Sequence, residues 1–351
     1  MRQQIEEAPV PPALPRVNLA HLQEITHEFG IWQHCREQKP NARYGFSIDD
    51  EARGLIVALH LAQREIEPEF AARLGRVCFD FIEKAARPDG RYHNFADKNC
   101  QWLDSVGSDD SFGRTLWSLA TACAANLPFA PRARAVSLLE RSLPLATGLP
   151  YLRSQAFVIM ALAQLPGYAD EVARELSERL AAAYEETSST DWRWFEDEMT
   201  YCNARLPQAM FLAAQLFPSE TRYLEIGIES MDFLLKAMRL AGKGAGYAPI
   251  GNDGWYRRGE KRPALFDQQP VDAGALVEAC MQAFRVTGEP RFRKAAHEAF
   301  AWYHGENIHG LPIYDPRTGG VCDALVPSGV NCNQGAESVL SYLLAYFAFD
   351  E

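Results

Sequence analysis

The sequence predicts an all-α chain folded as an (α/α)6 toroid, a closed ring of six helical hairpins with an inner and an outer layer. Three observations carry this. Helical periodicity runs through nearly the whole chain and strand-like alternation is almost absent. The helical segments alternate between amphipathic ones and ones that are apolar on every side. The connections alternate too, with short turns after the apolar helices and several long loops before them.

Taken in order, residues 1–16, acidic and proline-rich, are read as a tail before one domain spanning 17–351. The segment 18–36 is read as the first outer helix. Residues 49–64 follow Ser47 and carry "GLIVALHLA", the first inner helix. Outer 68–86 opens on Pro68, a residue pre-set for the first helical turn. Inner 109–126 follows Ser108 and carries "TLWSLATACAA"; outer 130–145 and inner 150–165, with "AFVIMALAQL", come next. Outer 168–187, "ADEVARELSERLAAAYEE", has one apolar stripe and a solvated face. Inner 201–216 carries "AMFLAAQLF", and outer 219–239 follows the turn "PS". Inner 269–287 opens on Pro270 and stops before Gly288, outer 289–304 follows, and inner 335–349 ends the chain with "VLSYLLAYFAF". The loops 87–108, 188–200, 240–268 and 305–334 are long, and a toroid gathers them at one rim, around the starts of the inner helices.

Those starts are polar. They offer Asp49, Asp50 and Arg53; Asp109, Asp110 and Arg114; Arg153 and Gln155; Glu196, Asp197, Asn203, Arg205 and Gln208; Asp267, Gln268, Gln269 and Asp272; and Asn333, Gln334 and Glu337. Serine caps and acids at helix N-termini account for part of this. Arg, Asn and Gln one turn further in need either a mutual network or a polar ligand, because unpaired buried polar groups are costly. The set is read as facing a ligand. Trp102, Trp194 and Trp255 lie in or beside the long loops, with Tyr44, Trp192, Tyr247, Tyr256 and Tyr314. Aromatic faces next to carboxylates and amides suit a sugar, whose C–H faces stack while its hydroxyls take hydrogen bonds.

The composition excludes other partners. A net charge of −11 without a basic stripe argues against nucleic acid. No stretch approaches the roughly 18–20 apolar residues of a membrane span, and the N-terminus has no secretory apolar core. The eight cysteines are scattered singly, which reads as reduced thiols in the cytoplasm. Cys322, Cys332 and His309 fit no common zinc spacing, so no metal and no cofactor is expected.

The segments "GFSIDDEARGLIVAL", "SDDSFGRTLWSLA", "WRWFEDEMTYCNARLPQA", "FDQQPVDAGALVEAC" and "GVNCNQGAESVLSYLLA" resemble a bacterial family of helical domains. These occur alone or fused behind glycosyltransferase domains, often beside mannoside phosphorylase genes. The resemblance covers roughly residues 40–349. It implies the (α/α)6 group of carbohydrate-active proteins, which includes glycoside hydrolases, unsaturated glucuronyl hydrolases and sugar 2-epimerases, and it implies a glycosyltransferase as partner. Cys202 and Cys332 stand where that family leads one to expect Asp or Glu.

A glycoside hydrolase needs one carboxyl as acid and another as base or nucleophile. Glu196, in a loop between aromatic residues, suits the acid; Asp110 and Asp50 suit the base, with Asp267 as a third carboxylate. Asp323 is a further candidate for the substrate or water. The expected function is hydrolysis of an oligosaccharide. A sugar 2-epimerase or isomerase is the alternative, although no histidine opens an inner helix: His60 sits in an apolar stretch, and His93, His304 and His309 lie in or near rim loops. A non-catalytic glycan-binding partner of a glycosyltransferase would use the same residue types. A lyase acting on an acidic sugar fits an acidic protein less well. A terpenoid cyclase would need aspartate spacings that "SIDDEAR" and "SDDSFGR" lack.

Overall fold

The computed structural model describes residues 14, 16–244 and 246–349. The expected tail lies, apart from Leu14 and Arg16, outside them. Twelve α-helices are present among the described residues: α1 (Ala20–Ile25), α2 (Ile48–Gln63), α3 (Pro68–Ala85), α4 (Asp109–Ala125), α5 (Arg132–Ser142), α6 (Leu152–Ala163), α7 (Asp170–Thr187), α8 (Arg205–Leu216), α9 (Thr221–Gly242), α10 (Pro270–Thr287), α11 (Pro290–Ala301) and α12 (Ala336–Phe347). The even-numbered helices each pack against the next, and α12 closes back on α2. The odd-numbered helices lie outside this ring: α3 on α2, α5 on α4, α7 on α6 and α8, α9 on α8, α11 on α10 and α1 on α12. This is the (α/α)6 toroid.

Burial follows the two sequence patterns. α6 buries every residue from Arg153 to Leu162. α7 buries only Ala173, Leu176, Ser177, Leu180, Ala181 and Tyr184, the three-and-four spacing of one stripe. Inner helices approach closely where glycine allows it. A Cβ on Gly113 would stand 2.6 Å from the Ser154 carbonyl, and one on Gly274 2.7 Å from that of Ser341. The helix-propensity cost of these glycines, about 1 kcal/mol each, is offset by backbone contact between neighbours.

The first helix is much shorter than the predicted 18–36. Its backbone turns extended at Thr26, whose hydroxyl bonds back to the Leu22 carbonyl. The chain then reverses, pairing Thr26 with Ile31, and the Ile31 amide donates to the Glu51 carboxylate at 2.5 Å. Gly30 is required here, because any Cβ would collide with that carboxylate. The buried residues Leu19, Leu22, Ile25, Ile31 and Cys35 mimic the spacing of one long helix, but only Leu22 and Ile25 lie in α1, while Ile31 belongs to the reversal and Cys35 to a small hairpin.

Ten strands of two or three residues form five two-stranded pairs, and several of these pairings, with single bridges, stitch the long loops together. Phe46–Ser47, before α2, pairs with Phe95–Ala96, before α4. Glu198–Met199, before α8, pairs with Tyr256–Arg257, before α10. Gln268 exchanges both backbone hydrogen bonds with Leu325, and Gln334 and Ala336 donate to the carbonyls of Glu37 and Gln33. The loops before α10, α12, α2 and α4 therefore form one continuous collar over the N-terminal mouth of the inner ring. No helix among the described residues is long and apolar enough to cross a membrane.

Candidate functional site

The site is built from the first turns of α2 and α12 and the loops beside them. Ser47 caps α2 by accepting the Asp49 amide, and Ser108 caps α4 by accepting the Ser111 amide. The serines do the capping, which leaves the neighbouring aspartates available for other work. Asp50 and Arg53 are buried on α2, one turn apart, with Arg53 Nη1 3.2 Å from Asp50 Oδ1. The other guanidinium nitrogen of Arg53 lies 2.6 Å from Glu337 of α12. Asp49 is held by the buried Arg114 of α4 at 2.9 Å.

Opposite α2, Asp323 organises the start of α12. Its Oδ1 accepts the Gly335 amide at 2.8 Å and the Ser338 hydroxyl at 2.7 Å, an N-cap supplied from a distant loop. Asn333 ties in the 35–40 hairpin by accepting the Glu37 amide. Together these residues enclose a cavity of about 390 Å³. Asp49, Asp50, Arg53, Asp267, Gln269, Asp323, Asn333 and Glu337, all singled out from the sequence, line it. So do His34 and Phe95, which were not singled out. His34 escaped because it falls in the stretch misread as the first helix; the signals against that helix were Gly30 and Pro40 on either side.

The remaining candidates lie elsewhere. Glu196 is outside the cavity lining and is held by Arg153, with contacts of 2.8 and 3.1 Å to one guanidinium nitrogen. Arg153 also donates to Asn203 and to the Tyr201 carbonyl, so this group is a ring-to-loop clamp. Asp110 is largely buried, with one carboxylate oxygen lacking a partner, but it too is outside the lining. Asp109 sits 3.6 Å from Arg91. Trp194 is fully buried and edge-on to Phe195, and Trp102 packs on Phe81 and stacks on His93. Neither tryptophan offers a platform to the cavity. Trp255 also lies outside it, in a turn with positive φ. Gln268 is completely buried, accepting the Trp302 indole N–H. Gln334 lines an outer groove instead.

The inward polar residues, read from the sequence as facing a ligand, largely satisfy one another. Arg205 bonds Gln208 and reaches Glu278 at 2.6 Å, while Asp272 accepts the Cys202 amide at 2.6 Å. The physical reason is proximity across the ring: α2, α4, α6 and α8 each bring an arginine within reach of an acceptor on their own or a neighbouring element. Cys202 is buried with its thiol pushed up to about 11, chiefly by desolvation, so it is inert as a nucleophile. Cys332 is exposed.

The electrostatics single out Asp50. Burial raises its carboxyl to about 8, against the opposing pull of Arg53. Asp50 is therefore mostly protonated at neutral pH and able to donate a proton. Burial also raises Asp323, against its two hydrogen bonds, and it raises Asp267, with Asp323 and Asp253 adding repulsion. Asp272 is raised to about 7 by burial behind the cavity wall. The lining thus combines a proton donor, further carboxyls, an imidazole and a buried guanidinium. Among the described residues no group of three or more His, Cys, Asp or Glu is placed to hold a metal ion.

No family model and no curated relative matches the chain. Solved structures do. A cellobiose 2-epimerase from Spirochaeta thermophila superposes with a TM-score of 0.70 at 13% identity, covering 94% of this chain and 91% of that one. A D-mannose isomerase gives 0.65 at 14% identity, covering 94% of each. A cellulase of C. cellulolyticum in complex with cellobiose gives 0.57 at 8% identity, covering 91% of this chain and 86% of that one. At such identities the likeness establishes the fold.

Proposed function

We propose that the chain is a sugar epimerase or isomerase that works on a small saccharide by proton transfer at the N-terminal mouth of the toroid. The observation that carries this is the joint presence of His34, Asp50 and Arg53 on one cavity of about 390 Å³. Moving a proton at a carbon next to a sugar carbonyl needs a base, an acid and a cation for the enediolate. His34 takes the proton from that carbon. Asp50, held protonated by burial, donates to the carbonyl oxygen as the carbon–oxygen double bond shifts. Arg53, fixed between Asp50 and Glu337, stabilises the negative charge that develops on oxygen. Delivery of a proton to the same carbon on its other face by a second lining carboxyl such as Asp267, with Asp50 taking back the proton on the former carbonyl oxygen, gives the epimer; delivery from His34 to the former carbonyl carbon, with the neighbouring hydroxyl losing its proton to the deprotonated Asp50, gives the isomer. Phe95, exposed at the cavity edge, supplies an apolar face for the ring.

Two further points support this over the hydrolysis expected from the sequence. Glu196, the expected acid, is committed to Arg153 outside the cavity, and none of the expected tryptophan platforms, Trp102, Trp194 and Trp255, lines it. The epimerase and isomerase structures superpose more closely than the cellulase does. Hydrolysis is the second reading, favoured by the carboxyl groups around the cavity, with Asp50 as acid and Asp267 or Asp323 as base.

Incubation with mannose, glucose, cellobiose and manno-oligosaccharides, followed by mass spectrometry and anomeric NMR, separates them. The expected product has the mass of its substrate and a changed configuration or carbonyl position. Shorter sugars formed with addition of water would overturn this in favour of hydrolysis. Saturable binding with no product would make the chain a glycan-binding module.

A further inference from the structure

The cavity opens into a larger groove. A small antechamber of about 220 Å³ shares His34, Asp323 and Asn333 with the cavity, and it shares Arg36 with an outer groove of about 1030 Å³. The path runs along the hairpin at 35–40 and under the loop 312–317. The hairpin has an unusual feature for a chain of net charge −11. Arg36 and Lys39 are direct partners across its antiparallel register, both are exposed, and both line the groove. Like charges placed opposite each other destabilise a strand pair. Neither side chain forms an ion pair or side-chain hydrogen bond among the described residues. The groove's third cation, Arg317, is bound in bidentate fashion to Asp315, and Glu37 at the hairpin turn is the other acid on the lining. The fold gains nothing from the Arg36–Lys39 pair, whereas an anion lodged between them would turn repulsion into two charge-assisted contacts.

We infer that the outer groove binds an anionic group, phosphoryl or carboxylate, that the saccharide carries beyond its reacting ring. This rests on the sugar chemistry proposed for the cavity and narrows its substrate to anionic saccharides. The reacting ring occupies the cavity, Tyr44 and Asn41 flank the antechamber, and the charged group reaches Arg36 and Lys39.

The test is calorimetric binding of the full chain to four probes: mannose, mannose 6-phosphate, cellobiose and a glucuronate-ended disaccharide. The phosphate and the uronate arms distinguish the two sources of charge. At least one anionic probe is expected to bind on the order of tenfold more tightly than its neutral counterpart. That advantage should shrink with added salt and vanish in Lys39→Glu and Arg36→Ala. Lys39→Glu places opposite charges across the hairpin, so its melting temperature should equal or exceed the wild type's, which rules out unfolding as the cause of lost binding. Equal affinity for neutral and anionic sugars, or an advantage that survives both substitutions, overturns the inference while leaving the cavity chemistry intact. Inorganic phosphate probes the cation pair without any sugar. It should raise the melting temperature of the wild type but not of Lys39→Glu, and no rise overturns the inference even if neutral sugars are turned over. No product from any sugar, with the phosphate effect present, would instead sink the proposed reaction and keep the anion site.

Discussion

The two mouths of the inner ring make an instructive contrast. At the C-terminal mouth all six inner helices end around a cavity of about 210 Å³, and the connections are short turns. Its wall mixes apolar side chains, among them Ile56, Trp117, Met160, Leu212 and Phe347, with polar ones, and its charged side chains are Glu278 and, at helix ends that favour cations, Arg64 and Arg285. At the N-terminal mouth the same helices begin under a stitched collar of loops, and carboxyls dominate. Aligned helix N-termini stabilise carboxylate charge, yet Asp50 is driven the other way because burial strips it of water. One end of the ring holds a smaller cavity with a single carboxyl group, Glu278, on its lining. The other is built with groups whose protonation is poised near neutrality, and that is where chemistry is proposed.

The contrast breaks most visibly if Asp50 is amidated. Asp50→Asn keeps the shape and the Arg53 contact but removes the proton donor, so turnover should fall by about 10²–10⁴-fold while sugar affinity shifts only a few-fold. Steady-state kinetics with parallel calorimetry check this, and undiminished turnover would remove Asp50 from the acid role.

In the interior of the ring the expected effect falls on stability. Arg205 is buried with Glu278, so Arg205→Met leaves a carboxylate uncompensated and should cost about 3 kcal/mol in denaturant unfolding. Activity per folded molecule should hardly change. A large loss of kcat at normal stability would show that this interior pair communicates with the site.

A pH series sharpens the comparison. Asp50, Glu51 and Asp272 have native pKa values of about 8, 8 and 7, above those of the unfolded chain. Their contribution is fully present below about pH 4 and is lost as pH rises toward 8, because the unfolded state ionises first. Melting temperature should therefore decline from pH 5 to pH 8. Glu51→Gln, which is outside the cavity lining and keeps an acceptor for the Ile31 amide, should flatten that decline by on the order of 1–3 kcal/mol at pH 8. A slope unchanged by the substitution would deny that Glu51 titrates as described.

The smallest effect is expected at Trp194. Trp194→Phe should cost about 1 kcal/mol of stability and leave sugar affinity within about twofold, since the ring is buried against Phe195. A marked loss of affinity would restore it as a platform.

The fold was legible because inner helices such as α6 are apolar on every face while outer ones such as α7 carry a single stripe, a pattern that two concentric layers of helices bury. The collar was not, because strand pairs of two residues leave no periodicity to read. The first helix was overextended because Ile31 and Cys35 continue a helical spacing that the Ile31–Glu51 hydrogen bond, distant in sequence, overrides. In the site, aspartates at helix starts were readable from position alone. The roles of Glu196 and the tryptophans were not, since an acid beside aromatic rings looks alike whether it faces a cleft or clamps an arginine. His34 was hidden by the helix error rather than by its own chemistry.

The most direct test of proton transfer at the N-terminal mouth is solvent exchange. Wild type and His34→Asn would be incubated with mannose, cellobiose and the anionic sugars in heavy water, and the sugars followed by NMR and mass. Deuterium appearing at the carbon beside the anomeric centre with wild type, and lost with His34→Asn, is the predicted result. Cleavage of the glycosidic bond with no deuterium on carbon would contradict it.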